Sequence, residues 1–267
     1  MMQLVSALVL KKPATAHPDN PVLGWRSIVT AANVTASSEA AGSPASRLAN
    51  PSTGETWKAD SSDAQTLTVT AATDDVSDYL GIVRHNLGSA RISLVVEGRR
   101  DAGDTWEELV AILPSDDRPL MLSFPIRGGD LRLSLGAGNA PAQIANLMAG
   151  ARTQFLDGIE PGYVPPPYAR VIDLDGGRSV SGNLLGSVVT GEYRRSSIAF
   201  SEVPELWYRE VLDPFVAWAS AGGPFFYAWH PVRWPREVGF ARIANQPVPQ
   251  QVGRGRVSIQ FDMVGVA

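Results

Sequence analysis

Apolar and polar positions alternate with a period of two along most of this chain, in short runs separated by clusters of Gly, Asp, Pro and Ser. Successive side chains of a strand point to opposite faces, so each run predicts a half-buried strand. On this pattern strands are expected at 66–70, 79–83, 92–97, 107–113, 120–124, 130–135 and 142–148. The most informative stretch is 79–106. Leu80, Ile82 and Val83 make an apolar run before Arg84-His85-Asn86, and the chain reverses near Leu87-Gly88-Ser89. A β-branched run at 92–96 then ends at Gly98, and the polar turn Asp101-Ala102-Gly103-Asp104 delivers Trp106 into the next strand. Short strands at regular spacing, with turn chemistry between them, predict a mainly β fold, an antiparallel sandwich or jelly roll.

Outside that region the pattern predicts a second β-rich unit with one helix. Residues 3–10 read as a strand, 13–21 as a proline-broken arm, 25–29 as a short strand and 31–51 as loops. The Gly/Pro-rich stretch 156–167 reads as a semi-rigid linker. Strands resume at 169–175, with a turn at Gly176-Gly177, a second reversal near Gly191 and a strand at 192–200. Leu206, Val211, Leu212, Phe215 and Trp218 fall at helical intervals within 203–221. Pro214 predicts a kink or restart there, with Asp213 as N-cap, and Gly222-Gly223-Pro224 ends the helix. An aromatic strand at 224–230, another strand at 237–244 and a final strand with Val257, Ile259, Phe261 and Met263 on one buried face complete the chain. The expected organisation is therefore 1–30 as N-terminal strand and arm, 31–155 as jelly roll, 156–167 as linker and 168–267 as a C-terminal β-rich assembly domain. A strand at 3–10 is too short to stand alone and is expected to pair with the C-terminal sheet, making the jelly roll an insertion.

Composition narrows the function. With 44% hydrophobic and 19% charged residues over 267 positions, a sizeable core is expected and disorder is excluded. The net charge of −4, with only the pairs Arg99-Arg100 and Arg194-Arg195 as basic clusters, argues against nucleic-acid binding. The absence of cysteine excludes thiolate chemistry and disulfides. The apolar start carries its lysines, Lys11 and Lys12, after the apolar run, unlike a secretory leader, and no segment has the length of a membrane span. His17, His85 and His230 stand far apart, and neither a nucleophile elbow nor a phosphate loop is present, so no enzymatic activity and no cofactor are expected.

Four groups of residues remain as candidates. Arg84, His85 and Asn86 end a buried strand where a jelly roll presents its loops; they read either as ligand contacts or as a turn held by the amide and imidazole. Trp57 and Trp106 read either as platforms for a sugar ring or as core. Asp60 with Asp63, the Asp74-Asp75-Asp78 group, and Asp101 with Asp104 read as solvated turns, calcium being the alternative, though their spacing does not match an EF-hand loop. Phe225, Phe226, Tyr227, Trp229 and Trp234 are a dense aromatic group that needs cover on both faces, from the preceding helix or from a neighbouring subunit. They are expected to form an assembly interface.

The loop TASSEA, the segment SRLANPSTGETW ending at Trp57, IVRHNLGSA, VVEGRRDAGDTWEEL, and the late strand LRLSL before IANLMAG occur in an order that resembles a galactose-binding-like (discoidin, or coagulation-factor type C) jelly roll, in the form carried by phage tail proteins. The C-terminal GGPFFYAWHP and RVSIQFDMVGVA are similar to tail-tip proteins of long-tailed phages. This resemblance implies a structural component of a virion tail tip, a distal or minor tail protein. It would assemble as a homo-oligomeric ring of three or six copies, contact tail tube and hub proteins, and present the jelly roll for host-surface glycan binding or docking, with Trp57, Arg84, His85 and Asn86 as carbohydrate contacts. A secreted bacterial glycan-binding module is the alternative.

Overall fold

The apolar run at 79–83 is buried on both faces, because it is where two β-units meet. The computed structural model of the chain describes residues 17–72 and 74–266; the expected strand at 3–10 lies outside them. Strand β1 (Val22–Gly24) precedes the jelly roll, which is formed by β2 (Val34–Ala36), β3 (Trp57–Lys58), β4 (Gln65–Val69), β5 (Val76–His85), β6 (Leu94–Arg99), β7 (Glu107–Ile112), β8 (Leu120–Gly128), β9 (Asp130–Leu135) and β10 (Gln143–Gly150). A four-stranded sheet, β3-β10-β5-β8, faces a five-stranded one, β2-β4-β9-β6-β7, and all pairings are antiparallel. Their inner faces share one core in which Trp57, Leu67, Leu80, Ile82, Leu94, Leu133 and Ile144 are buried. This is the mainly β, jelly-roll sandwich that the alternation predicts.

Strand β11 (Thr153–Gln154) then returns beside β1, with Val22 opposite Gln154 and Leu23 opposite Thr153. Both belong to a second sheet with β12 (Arg170–Arg178), β13 (Leu184–Pro204), β14 (Phe225–Ala228), β15 (Val238–Ile243), β16 (Gln250–Gly253) and β17 (Arg256–Val266). Its order is β11-β1-β14-β15-β17-β13-β12, with β16 also on β17. The polypeptide thus leaves this sheet at β1 and re-enters it at β11, its immediate neighbour. The expected strand at 25–29 is instead β1, three residues earlier at its start, and 25–29 leads into the sandwich, with the Ile28 amide bonded to the Ala149 carbonyl at 2.7 Å. Stretch 156–167 is no free tether: Ile159 and Tyr163 pack on the second core, and Ser196 donates its hydroxyl to the Val164 carbonyl at 2.7 Å.

The helical stretch 205–220 differs from expectation in a way its proline explains. Proline has no N–H for the preceding turn, and the chain widens into a π-turn at Tyr208–Leu212 just before Pro214. Flanking it are α1 (Glu205–Trp207) and α2 (Asp213–Ser220). Asp213 lies inside the helix and accepts a bond from the Tyr208 hydroxyl at 3.4 Å; it caps nothing. Leu212, Phe215, Val216 and Ala219 face the second core, whereas Leu206 and Trp218 are exposed. Among the described residues no helix is long and apolar enough to cross a membrane.

Two glycines let the sheets touch. A Cβ at Gly81 would lie 2.5 Å from two ring carbons of Phe226, and a Cβ at Gly24 would lie 2.5 Å from the Tyr79 ring. Tyr79, Val83, Met148, Phe226, Ala228, Val238 and Phe240 form the cluster between the units, and the Tyr79 hydroxyl donates to the Arg26 carbonyl at 2.5 Å. A Gly81→Val variant is expected to lose about 2 kcal/mol of stability through overpacking and to split one calorimetric transition into two. A single, unshifted transition would show that this contact does not couple the units.

Candidate binding and assembly surfaces

At the loop end of the jelly roll, β5 runs out through Arg84 into a turn at 86–91 that the sequence itself builds. The Ala90 amide bonds the Asn86 carbonyl at 2.8 Å and the Ile92 amide bonds the Leu87 carbonyl at 2.8 Å. The Asn86 amide group donates to the Pro141 carbonyl at 2.9 Å, and its oxygen accepts the Gln143 amide at 2.8 Å, so it clamps the turn to β10. His85 is buried; its Nδ1 accepts the Leu87 amide at 3.2 Å, which leaves Nε2 to donate to the Arg118 carbonyl at 2.7 Å. Burial pushes this imidazole below its ordinary value, against the smaller opposing effect of the Arg118 carbonyl. Of the two sequence readings, the geometry matches the turn-holding one for His85 and Asn86. Arg84 alone faces solvent, and it does so from a left-handed backbone, φ 52°.

The tryptophans resolve the same way. Trp57 is 0% exposed and donates its indole N–H to the Ser38 carbonyl at 3.1 Å, so its expected role as a sugar platform is corrected: no ring face is open. Trp106 is half-buried with the guanidinium carbons of Arg99 and Arg132 at 4.6 and 4.5 Å from its ring centre. Two of the aspartates serve turns, Asp75 accepting the Ala72 amide and Asp104 the Asp101 amide, while Asp78 accepts the Arg152 amide and ties β5 to the segment after β10. Among the described residues no group of three or more His, Cys, Asp or Glu is placed to hold a metal ion.

A second correction concerns the aromatic strand. Phe225, Phe226 and Tyr227 are each 0% exposed within one chain. Phe225 and Tyr227 face the helix side, where Phe215 meets Phe225 edge-on at 5.0 Å, and Phe226 faces the jelly roll. The second cover that the alternation demanded is therefore the chain's own inserted sandwich, and these three residues are not a free interface. Trp229 is half-buried and gives its indole N–H to Glu237 at 2.6 Å; only Trp234 is exposed.

Unpartnered apolar surface lies elsewhere, on a hairpin that sequence reading broke up. Gly176 and Gly177 sit inside β12, the reversal falls at 179–183, and β13 passes Gly191 without turning. Asp173 is opposite Gly191 and Leu174 opposite Val189, so Thr190 is an extra residue, a bulge, that bonds the Asp173 carbonyl at 3.2 Å. The outer parts of β12 and β13 form a two-stranded arm. Val188 and Val189 are neighbours and so point to opposite faces, yet they are 69% and 59% exposed: neither face of the arm is covered. Ile172, Leu174, Leu184 and Leu185 are exposed beside them. The signal for this arm was present in the β-branched Val188-Val189 run, but two glycine pauses were read as turns.

No known protein family matches the chain, and no curated protein matches it. Among solved structures it is similar to chitosan-binding module 1 of a chitosanase/glucanase from Paenibacillus sp. IK-5, at 17% identity over 47% of this chain and 99% of the module, TM-score 0.43. It is also similar to the CBM32 of AlyQ in complex with 4,5-unsaturated mannuronic acid, at 15% identity over 47% of this chain and 95% of that one, TM-score 0.39. A third is CpGH89CBM32-5 from Clostridium perfringens in complex with GalNAc-β-1,3-galactose, at 14% identity over 44% of this chain and 94% of that one, TM-score 0.39.

Because burial lowers the His85 pKa in the fold, the unfolded chain binds more protons than the folded one as pH falls through the ordinary value of 6.5. Stability is therefore expected to be complete above that pH and to decline below it. The decline should be smaller in His85→Gln, measured as Tm against pH from 7.5 to about 5; identical slopes would remove His85 as its source.

Proposed function

We propose that the protein is a non-catalytic binding and assembly component of a phage tail tip, a distal or minor tail protein. In this reading the second sheet joins copies into a ring next to tail tube and hub proteins, and the jelly roll is held outward, with its loop end available to a host-surface glycan or to another tail protein. The observation that carries it is the arm of β12 and β13. An isolated two-stranded hairpin is marginal in water, and one that shows aliphatic side chains on both faces gains its stability from a partner. If the partner is the next copy, head-to-tail contacts close into a ring. Many weak sites on such a ring gain avidity on a repeating surface. The order of the chain, with a jelly roll leaving and re-entering one sheet through adjacent strands, supports the same reading.

A second reading, a glycan-binding module that acts as a monomer in a secreted bacterial protein, is favoured by one observation: the aromatic strand is fully covered without a neighbour. Light scattering and negative-stain microscopy separate the two. The wild type is expected to form a closed ring, and Val188→Lys with Val189→Lys is expected to be monomeric with stability within about 0.5 kcal/mol, since both positions are surface. A wild type that stays monomeric and binds glycans on an array would overturn the assembly reading in favour of the second.

A further inference from the structure

Between the jelly roll and the base of the arm lies a cleft of about 290 Å³ into which three arginines from separate segments converge. Arg84 comes from the end of β5, Arg118 from the loop before β8, and Arg194 from β13. Pockets at the junction of two units are frequent ligand sites, and the bonding of these three side chains gives this one a sign. The Arg118 Nε and Nη2 are both taken by Asp116, at 3.0 and 2.6 Å, and Asp116 is further held by Arg236 at 2.8 Å. The Arg118 hydrogen bonds, then that of Arg236, keep the Asp116 carboxyl far below the usual carboxylate range.

The other two arginines are not saturated. Arg194 gives Nη1 to Glu192 at 2.8 Å, but its Nε is buried and has no hydrogen-bond partner, with 16% of the side chain exposed. The Arg84 side chain is exposed and makes no hydrogen bond or ion pair among the described residues. It also holds a left-handed φ of 52°, a conformation that costs any residue with a Cβ and that glycine or asparagine adopts more readily. The carboxylates facing the cleft are Asp117, which accepts the Ser89 amide at 2.9 Å, and Glu192, which also pairs with Arg170 at 3.2 Å. With Arg118 neutralised by Asp116, the donors left uncommitted at the cleft are the Arg84 guanidinium and the Arg194 Nε. A guanidinium fork with free N–H groups matches the oxygens of a carboxylate, sulfate or phosphate.

We propose that this cleft binds a small oxyanion-bearing ligand, with Arg84 and Arg194 as its contacts and Arg118, already paired with Asp116, as part of its wall. Such a ligand bridges the two units, because Arg84 belongs to one and Arg194 to the other. The assignment is independent of assembly and needs no ring.

Titration calorimetry of the full chain with inorganic sulfate, inorganic phosphate and galacturonate tests it. One saturable site is expected, weakened about 10-fold or more by Arg84→Asn and by Arg194→Gln, the loss of one charge-assisted hydrogen bond in each case. Asparagine tolerates the left-handed backbone, so Arg84→Asn is expected to keep or raise Tm while losing affinity, which separates loss of binding from loss of fold. Tighter binding of galacturonate than of the inorganic ions assigns the oxyanion to an acidic sugar; the reverse order assigns it to a free anion. Arg91 is a control, an exposed arginine with a similar φ of 57° outside the cleft, and Arg91→Asn should leave affinity unchanged. No saturable binding of any of the three probes, or equal losses in all three variants, would overturn the proposal.

Discussion

The contact between β5 and β14 is the constraint on which the rest of the molecule depends. Strand β5 carries side chains to two cores at once: Leu80 and Ile82 inward to the sandwich, Tyr79 and Val83 outward to the second sheet. Without a side chain at Gly81 the Phe226 ring lies directly on the strand, and without one at Gly24 the Tyr79 ring lies on β1. Close packing of this kind makes the interior jointly sensitive to small changes in volume. It also makes the inserted jelly roll a structural part of the domain that carries it, rather than a bead on a tether.

That contact decides which surfaces are left for partners. Because Phe226 is covered by the jelly roll and Phe225 and Tyr227 by the helix, the aromatic strand is used up inside the chain. A dense group of uncovered aliphatic side chains is on the β12–β13 arm, whose inner end is fixed by β17 and whose outer end extends past it. Aliphatic groups exposed on both sides of one hairpin are apolar surface that the monomer leaves without cover. At the loop end, His85 and Asn86 have their polar atoms committed to the backbone, so the side chain left uncommitted there is Arg84, across the cleft from Arg194 of the second unit.

Much of the fold was legible in the residues because strand side chains alternate and turns need particular chemistry. The strands at 66–70 and 130–135 lie within one residue of where alternation puts them, and those at 79–83 and 257–263 run up to three residues further at one end. Glycine misled at 176–177 and 191, since a glycine inside a strand reads locally like a turn and only pairing to a partner strand distinguishes the two. Proline at 214 was legible as an interruption, but whether the chain restarts or widens depends on what packs beneath it.

The site was harder to read than the fold, for the same reason. Local sequence determined that 79–83 is a buried strand, that Asn86 sits in a turn, and that Phe225, Phe226 and Tyr227 require cover on two faces. Tertiary structure alone decided what provides that cover, and it turned Trp57 into core and brought Arg84 and Arg194, 110 positions apart by their numbers, to one cleft. Periodicity is a property of neighbours along the chain and can be counted; burial and convergence come from packing between distant segments, which no local pattern encodes.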